Sequence, residues 1–503
     1  MKDKLLFYID NYFVHFGIAK AIQEKYDCDL FAIIDVDTKA KKFFKNQDIV
    51  QFSKVWHYLE HVSTTNKKPD LEYLQSFEEK YKINLWSIAY TDKYFYKYNT
   101  HYQFGNNEIL SIIEQECRLF EQVLDETKPD FIVMLVPILH YQQLLYEICK
   151  SRGIKVLMLI TPKIAGRLLI SEDPVIVDEK NTRKKSSMSN EELQSYMKRF
   201  DMFKLLTKKQ KIGFEANKWQ RYKSILKYFF NASENDYKNR YSNYGITRFK
   251  TLTEKISRSL KRKYRESFFN RNFKRSIDDK KPFIYFPLHY EPERILLIDA
   301  PYYDNQISVI TSIAKSLPVG YRLILKEHPF MKTIGWRNIS FYKELMNLPN
   351  VEILHPLVNP VEIMKKCSLV VTIAGTTGLE AALYKKPTII LSDQLYSNAP
   401  FAFRLNKIED LPKTIRLALQ KEVNLSDVGE FVRDMDDHTF ELNFFKIIND
   451  FSYRFGFKGP LIDAELPATK IRSFLEDYKN DFELLADEHI KKINYHKKKE
   501  AKL

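Results

Sequence analysis

Residues 369–380, with the sequence LVVTIAGTTGLE, decide the fold of the second half of this chain. The apolar run Leu369–Thr372 predicts a strand, and a helix is predicted a few residues later, over Leu379–Tyr384. A strand without alternation of polar and apolar residues is typical of a parallel sheet, because both of its faces are buried. A buried strand followed at once by a helix is the repeating unit of a doubly wound α/β fold.

The same alternation extends outward from this stretch and predicts an α/β domain over residues 281–423. Short connections between its elements favour right-handed crossovers and a parallel sheet. Its other strands are predicted at Phe283–Phe286, Tyr321–Leu325, Val351–Leu354 and Pro387–Leu391, and its other helices at Asn305–Ser316, Phe341–Met346 and Pro360–Lys366.

The N-terminal part repeats the pattern and predicts another α/β domain over residues 1–177. Because ligand sites lie at the carboxyl ends of the strands in such sheets, two doubly wound, Rossmann-like domains are expected to face a cleft. Strands are predicted at Leu5–Ile9, Leu30–Ile34, Phe131–Val136 and Lys155–Ile160, and helices at Gly17–Lys25, Glu114–Glu126 and His140–Arg152.

The composition is that of a folded protein in a reducing compartment. Hydrophobic residues make up 44% of the 503 residues, enough to fill two or three cores. The four cysteines lack the CxxC spacing of a zinc site and argue against a disulfide framework. No apolar run reaches the roughly 18 residues that a membrane span needs. We therefore expect a cytoplasmic protein.

Positive charge is concentrated in two places. A polar, mainly helical insert is predicted over 178–280, and residues 255–281 carry eleven Lys or Arg against three acids. Further helices are predicted over 424–503, ending in the cluster Lys491-Lys492 and Lys497–Lys499. Both clusters favour an anionic membrane surface, which places the protein on the inner face of the cytoplasmic membrane; a solvated helix face and tail is the alternative. No nucleic-acid-binding motif accompanies them, so no nucleic-acid partner is expected.

Two strand ends of the 281–423 domain carry residues suited to a nucleotide phosphate. Lys326, Glu327 and His328 follow one strand; Lys and His neutralise a phosphate, and His can also donate a proton to a leaving oxygen. The other strand end offers two glycines for close backbone approach and a helix start that favours anions. Its candidate residues are Gly375, Thr376, Thr377, Gly378 and Glu380. A polar turn and an ordinary N-cap are the competing interpretations.

A third group of polar residues follows the first strand of the same domain. His289 and Glu291 come directly after Phe283–Phe286, and Gln306 opens the next helix. We expect all three to face the cleft and to contact substrate, because the carboxyl ends of parallel strands meet at one edge of a sheet.

These motifs resemble, in order and spacing, the capsule and surface polysaccharide biosynthesis glycosyltransferases, a group that includes the Kdo transferases of capsule assembly. The resemblance extends from Tyr285 to about Ser392 and depends mostly on Lys326–Pro329 and Thr376–Ala381. It implies a GT-B fold and a nucleotide-activated sugar, a CMP- or UDP-sugar, as co-substrate. It also implies that His328 and the two threonines hold the donor phosphate and Glu380 the nucleoside. The run Ile295–Ile298 departs from the family pattern.

Transfer of a sugar also requires a base for the acceptor hydroxyl, and the N-terminal domain is the expected source. Asp35 and Asp92 are the preferred candidates, with Asp10, Asp37 and Glu172 as others at strand ends or in loops. Arg167 is a candidate for holding an anionic acceptor or a donor carboxylate. The later domain has no aspartate-x-aspartate motif, so we expect a metal-independent enzyme without a cofactor other than its nucleotide-sugar co-substrate.

The acceptor is expected to be a growing polysaccharide or a glycolipid, and three other functions remain open. A transferase of polyol phosphate from a CDP-activated donor, as in teichoic acid synthesis, usually has a second His-Pro, and His355-Pro356 is present here. A sugar-nucleotide epimerase shares the fold but needs no acceptor. A non-catalytic scaffold that binds glycan or membrane is the third.

Overall fold

The structure is a computed structural model, and its described residues form two compact units. The described residues are 2–63, 68–95, 97–162, 166–177, 188–189, 191–193, 195–196, 240–278, 280–455 and 465–501. Unit 1 contains the described residues up to 174, together with 240–248 and those from 439 onward; unit 2 contains 249–438 and the described residues between 175 and 196.

Unit 1 is built on a seven-stranded sheet. Its strand order is β13-β6-β5-β4-β1-β2-β3, in which β1 to β5 are parallel and β6 and β13 are antiparallel additions. The strands are β1 Asp3–Ile9, β2 Cys28–Ile34, β3 Lys54–His57, β4 Phe131–Leu135, β5 Lys155–Ile160, β6 Arg167–Ser171 and β13 Phe440–Glu441. The helices are α1 Val14–Lys25, α2 Thr38–Asn46, α3 Tyr58–His61, α4 Leu71–Tyr81, α5 Leu85–Tyr90, α6 Asn106–Thr127, α7 His140–Ser151, and, after unit 2, α16 Phe444–Phe455, α17 Ala468–Asp477 and α18 Lys479–Glu500.

Unit 2 is built on a six-stranded parallel sheet. Its strand order, β12-β11-β10-β7-β8-β9, reverses direction between β7 and β10, as in dinucleotide-binding folds. The strands are β7 Phe283–Pro287, β8 Arg322–Lys326, β9 Val351–Leu354, β10 Leu369–Thr372, β11 Thr388–Ile390 and β12 Ala402–Arg404. The helices are α8 Arg248–Asn272, α9 Gln306–Ser316, α10 Met331–Ile334, α11 Ile339–Met346, α12 Pro360–Lys366, α13 Thr377–Ala382, α14 Leu411–Gln420 and α15 Leu425–Asp437.

The predicted fold class is confirmed, since both sheets are doubly wound and have the parallel order of Rossmann-like domains. The run Ile295–Ile298, which departs from the family pattern, forms part of a π-helical turn, Ile295–Asp299. The predicted insert spans residues 178–280, and most of its residues between 178 and 239 lie outside the described residues. The predicted domain boundaries therefore stay a prediction.

The C-terminal helices pack on unit 1 and use part of the predicted basic cluster. Gly17 of α1 lies so close to Phe482 of α18 that a Cβ atom at this position would be 2.3 Å from the phenylalanine ring. Lys492 is buried, and Lys497 Nζ lies 3.0 Å from the carboxylate of Asp3. Packing and an ion pair thus engage two members of the cluster, and its binding to an anionic membrane surface stays a prediction.

Candidate functional site

The sheet of unit 2 brings two of the predicted motifs together at its switch point. Strands β7 and β10 are neighbours, and the chain continues from them in opposite directions across the sheet. Ligands bind in the crevice that such a reversal opens at the carboxyl ends of the strands. His289, two residues after β7, has its Nε2 3.2 Å from Thr372 Oγ1 at the end of β10.

The two glycines of the loop after β10 are required for different reasons. The Gly375 N–H donates to Thr372 Oγ1 at 3.0 Å, and a Cβ here would lie 2.7 Å from that oxygen and 3.4 Å from His289 Cε1. A Cβ at Gly378 would instead meet Thr388 and Tyr396 inside the fold, at 2.7 and 2.5 Å. Gly375 is thus part of the crevice, whereas Gly378 is explained by packing alone.

The hydroxyl residues of this loop are the part that solvent reaches. Thr376 and Thr377 are half-buried at the start of α13, next to Gly375. Glu380, three residues into the same helix, is buried close to Tyr285 and Tyr396. Burial raises the pKa of both phenols, and the charge of Glu380 adds to the rise. Contact between Glu380 and a nucleoside stays a prediction.

Lys326 is a buried lysine without a direct partner among the described residues. It is the last residue of β8, its side chain is 4% exposed, and it makes no side-chain hydrogen bond or ion pair within the described chain. Burial lowers its pKa to about 8, although the charge of Glu327 acts in the opposite direction. A buried cation that lacks a counter-ion is suited to a phosphate ligand.

Glu327 positions the turn after β8 rather than facing a ligand. It is fully buried, and its oxygens accept from Arg337 Nη1 at 2.8 and 2.7 Å, from Tyr342 Oη at 2.5 Å and from the His328 N–H at 2.6 Å. Burial lowers the pKa of Arg337, but Glu327 and Glu291 outweigh it and raise the value. The predicted nucleotide contact of Glu327 is therefore replaced by a positioning role.

The same arginine connects the turns that follow β7 and β8. Arg337 also donates to the His289 carbonyl and lies 3.4 Å from Glu291. Gln306 receives the His289 N–H at 2.8 Å and donates to the Glu291 carboxylate. Gln306 is 1% exposed and holds this turn in place, whereas Glu291 is half-buried, and its contact with substrate stays a prediction. No local motif identified Arg337 beforehand.

His328 is half-buried and its ring is held in one orientation. Its Nδ1 accepts the Phe330 N–H at 3.2 Å, and the ring stacks on Phe330 and contacts Tyr290, with centroids 5.5 and 5.9 Å apart. A neutral ring that accepts at Nδ1 carries its proton on Nε2, from which it can donate a hydrogen bond.

The two carboxylates preferred as base are both engaged inside unit 1. Asp35 accepts from Tyr8 Oη at 3.0 Å, from Tyr141 Oη at 2.8 Å and from Arg240 Nη2 at 2.7 Å, and Arg240 Nε lies 3.4 Å from Asp37. It is 3% exposed. Asp35 is therefore not placed to take a proton from an acceptor.

Asp92 belongs to a second buried network. Its carboxylate lies 2.6 Å from His140 Nδ1, and the Tyr241 hydroxyl donates to it at 3.1 Å. Glu116 contacts the other ring nitrogen at 2.8 Å. Burial lowers the pKa of His140, but the two carboxylates raise it to about 10. Asp92 is fully buried and acts as a structural counter-ion to an imidazolium, so it also is not available to an acceptor.

Asp10 is the carboxylate that the geometry favours. It follows β1 at the switch point of unit 1, is half-buried, and accepts only the Tyr12 N–H, at 2.9 Å, among the described side-chain contacts. Burial, with the nearby charge of Asp35, raises its pKa to about 7. The turn contains Phe13 in a left-handed conformation, φ 63°, and such strain is concentrated at functional sites. The sequence signal was an aspartate directly after the first strand.

Arg167 lies at the same edge of the sheet as Asp10 but not beside it. It begins β6, which runs antiparallel to β5, so it stands where the parallel strands end. Two strands, β5 and β4, lie between β6 and β1, and the three strand spacings amount to about 14 Å. The structure does not bring Arg167 and Asp10 into contact.

Fold and site together define a class: an α/β protein with two doubly wound sheets and an anion-suited crevice at one switch point. The model of the family described as capsule polysaccharide biosynthesis protein matches residues 197–403, which include this crevice. The resemblance that the motifs predicted is therefore confirmed over residues 197–403. None of the curated proteins matches the chain.

Solved structures with partial overlap include two classes of sugar enzyme. The β-Kdo 2,4 transferase structure of Thermosulfurimonas dismutans KpsC is 10% identical to this chain, and the match covers 64% of this chain and 87% of that one, with a TM-score of 0.30. The β-Kdo 2,7 transferase structure of the same protein is 13% identical, and the match covers 74% of this chain and 98% of that one, also with a TM-score of 0.30. A UDP-GlcNAc 2-epimerase from Methanocaldococcus jannaschii is 16% identical, covers 86% of this chain and 99% of its own, and has a TM-score of 0.24.

Proposed function

We propose that this protein is a glycosyltransferase that moves a sugar from a CMP- or UDP-sugar to a growing capsule or surface polysaccharide, or to a lipid-linked acceptor. The observation that carries the proposal is the convergence of His289, Thr372 and Gly375 at the switch point of unit 2. This crevice lies within the residues that match the capsule biosynthesis family.

The donor phosphate is held by charge and by hydroxyl groups. Lys326 supplies a cation that has no direct ion-pair partner among the described residues, and Thr376 and Thr377 supply hydroxyls beside a glycine that allows close approach. His328 donates a hydrogen bond from its Nε2–H to the leaving phosphate oxygen, and so stabilises the negative charge that develops there as the bond between that oxygen and the anomeric carbon breaks. Such residues can neutralise the leaving group without a metal ion, and retention of turnover in EDTA is the expected result.

The acceptor is activated by Asp10. Its carboxylate takes the proton of the acceptor hydroxyl while that oxygen forms the new bond to the anomeric carbon. A base with a pKa of about 7 is half ionised at neutral pH and still accepts a proton readily. Asp35 supports Asp10 by its charge and is not itself the base.

The acceptor is presented at the inner face of the cytoplasmic membrane. In the described residues, no helix is both long enough and apolar enough to cross a bilayer. The basic residues of 255–281 favour an anionic surface, whereas the C-terminal lysines contribute less because Lys492 and Lys497 are engaged.

A thermal-shift screen with CMP, UDP, GDP and CDP tests the proposal. A nucleotide that binds only the folded state raises the melting temperature, by an amount that grows with its concentration over its Kd. We expect a shift with CMP or UDP. No shift with any of the four contradicts a nucleotide-sugar transferase.

One observation favours a second candidate, a polyol-phosphate transferase that uses a CDP-activated donor. The His355-Pro356 turn follows β9, the neighbour of β8, and His355 Nδ1 accepts the Leu357 N–H at 3.2 Å, as His328 accepts that of Phe330. The chain thus carries two His-Pro turns of the same local geometry at adjacent strand ends. A phosphodiester linkage in the product identifies this candidate, and a glycosidic linkage excludes it.

A further inference from the structure

Helix α8 is fixed to unit 2 by one of its faces. The rings of Phe269 and Phe273 stack with centroids 4.9 Å apart, and Phe269 also packs on Trp336 and Tyr342. Arg265 donates to the carbonyls of Gly335 and Trp336, each at 2.7 Å. These contacts determine which side of the helix faces outward.

The outward side carries a continuous row of exposed apolar side chains. Phe249, Ile256, Leu260 and Tyr264 are 72%, 54%, 64% and 71% exposed. Their spacing of seven, four and four residues places them within about 80° of one another on a helix, in a row roughly 22 Å long. We call this row the α8 stripe.

The stripe differs from the other exposed apolar residues of unit 2. Val319 and Leu357, for example, stand singly in turns, and isolated exposed apolar residues need no explanation. Several large apolar side chains in line on one face mark an interaction surface, because it costs free energy to leave each of them exposed to water.

The charge around the stripe is strongly positive. Residues 249–272 contain eight Lys or Arg and two Glu, and both glutamates already have basic partners: Glu254 lies 2.7 Å from Arg258, and Glu266 lies 3.8 Å from Lys332. Lys261 and Lys263 are exposed and fall on opposite sides of the stripe.

We propose that α8 docks this protein on an anionic lipid bilayer. The α8 stripe enters the boundary between headgroups and acyl chains, and the flanking lysines extend to the phosphates. A helix of this length with an apolar face, a basic polar face and low overall hydrophobicity is typical of interfacial binding. The docking is independent of the transfer chemistry, since none of these residues belongs to the strand-end crevice.

The charge also selects a bilayer over a second copy of the chain. Two such helices packed through their stripes would bring a net charge of +6 on one, eight Lys or Arg less two Glu, against the same charge on the other, which opposes association. An anionic bilayer neutralises the same charges and covers the apolar side chains at the same time.

Vesicle flotation of the full chain tests the docking. We expect it to float with phosphatidylcholine vesicles that contain about 30% phosphatidylglycerol and to stay behind with phosphatidylcholine alone. The double variant Ile256→Ser/Leu260→Ser should lose at least about tenfold in binding, because the inserted apolar area is removed. Lys261→Glu/Lys263→Glu should lose at least about tenfold through charge, and its residual binding should respond less to salt.

Leu417→Ser provides the matched control. Leu417 is a 50% exposed leucine on α14 of the same unit, outside the stripe, and its replacement should leave flotation unchanged. All these positions are exposed, so the melting temperature of each variant and its shift with nucleotide should match those of the wild type. A variant that keeps the nucleotide-induced shift but loses flotation separates membrane docking from donor binding.

Three results would overturn the docking proposal. The first is no flotation with either vesicle, and the second is equal flotation of the wild type and the stripe variant. The third is a concentration-dependent dimer, detected by sedimentation velocity, that the stripe variant disperses; the stripe would then be a contact between copies of the chain.

Discussion

Buried and half-buried charges of two kinds occur among the described residues, and their hydrogen-bond and ion-pair partners distinguish the two kinds. Glu327 and Asp92 are surrounded by donors from the protein and therefore stabilise the fold. Lys326 has no direct partner among the described residues, and Asp10 keeps only a backbone donor. Charges left without compensation cost stability, and they are retained where a ligand or substrate completes them.

Replacing Asp10 tests the assignment of the base. Asp10→Asn should lower kcat by about 100-fold or more, within the range that general-base catalysis contributes. In the wild type, kcat/KM should fall as pH drops below about 7, because the base must be ionised and its pKa is about 7. Steady-state rates from pH 5 to 9 provide the measurement.

Asp35→Asn separates Asp10 from its neighbour. It removes the charge that raises the pKa of Asp10, so the midpoint of the pH profile should move below 7 while the plateau rate remains. If Asp35→Asn instead abolishes turnover in a protein that still melts cooperatively, and Asp10→Asn does not, the assignment is contradicted.

We expect Lys326 to lower the stability of the fold and to strengthen donor binding. Its pKa falls from 10.5 to about 8 on folding, so the folded state disfavours the charged form. Lys326→Met should raise the free energy of unfolding below pH 8 by on the order of 3 kcal/mol and weaken nucleotide binding. The stability gap should close as pH rises from 8 toward 10.5, where the unfolded chain also loses the proton. Thermal melts against pH measure this, and a variant less stable than the wild type at pH 7 would contradict it.

At the scale of elements, a few short turns after parallel strands make the crevice, and Arg337 connects two of them. It reaches the Glu327 carboxylate after β8 and the His289 carbonyl after β7 from a position just before α11. The adjacent strands fix the backbone, and the arginine fixes the distance between the turns. The geometry of His289 and His328 is thus a property of the sheet and of one buried ion pair.

Arg337→Met should destabilise unit 2. Removing one member of a buried pair leaves Glu327 uncompensated, at a cost of about 3–5 kcal/mol, or roughly a 10 °C lower melting temperature. The double variant Arg337→Met/Glu327→Met should regain most of this loss because no lone charge remains. Calorimetry of the two variants provides the measurement. If both lose the same amount of stability, the loss does not come from the unpaired charge of Glu327.

Sequence patterns were most informative where burial is complete. The predicted bounds of β5, β9, β10 and α12 agree with the structure, because uninterrupted apolar runs and a proline at a helix start are unambiguous. The outer strands β3 and β12 were not predicted, since one of their sides is open and their residues are mixed in polarity, as in Lys54–His57.

The roles of the charged residues could be predicted less well, for a physical reason. Asp35 meets Arg240, Asp92 meets His140, and Glu327 meets Arg337, and no local motif relates the members of these pairs. Their pairing arises only when strand ends converge. The loop after β10 was predictable because its glycines, hydroxyls and helix start are adjacent in sequence.

At the scale of the whole molecule, the two units repeat one order of parallel strands, and each has a candidate site residue at the equivalent point of its sheet. Asp10 follows the first strand of one sheet, and His289 follows the first strand of the other, each at the reversal of strand order. The proposed base and the proposed donor site thus each lie at the switch point of their own sheet.

The most direct test of this account is calorimetric titration of CMP and UDP into wild-type protein, His328→Gln and His355→Gln. The two variants remove histidines from His-Pro turns of the same local geometry, and only His328 belongs to the proposed donor site. We expect one of the two nucleotides to bind the wild type. His328→Gln should weaken the affinity for that nucleotide by about tenfold or more, because loss of a hydrogen bond to a charged group costs roughly 1.5–3 kcal/mol. The affinity of His355→Gln should stay within about twofold of the wild-type value. Equal affinity in all three proteins, or no binding to the wild type, would contradict the central claim.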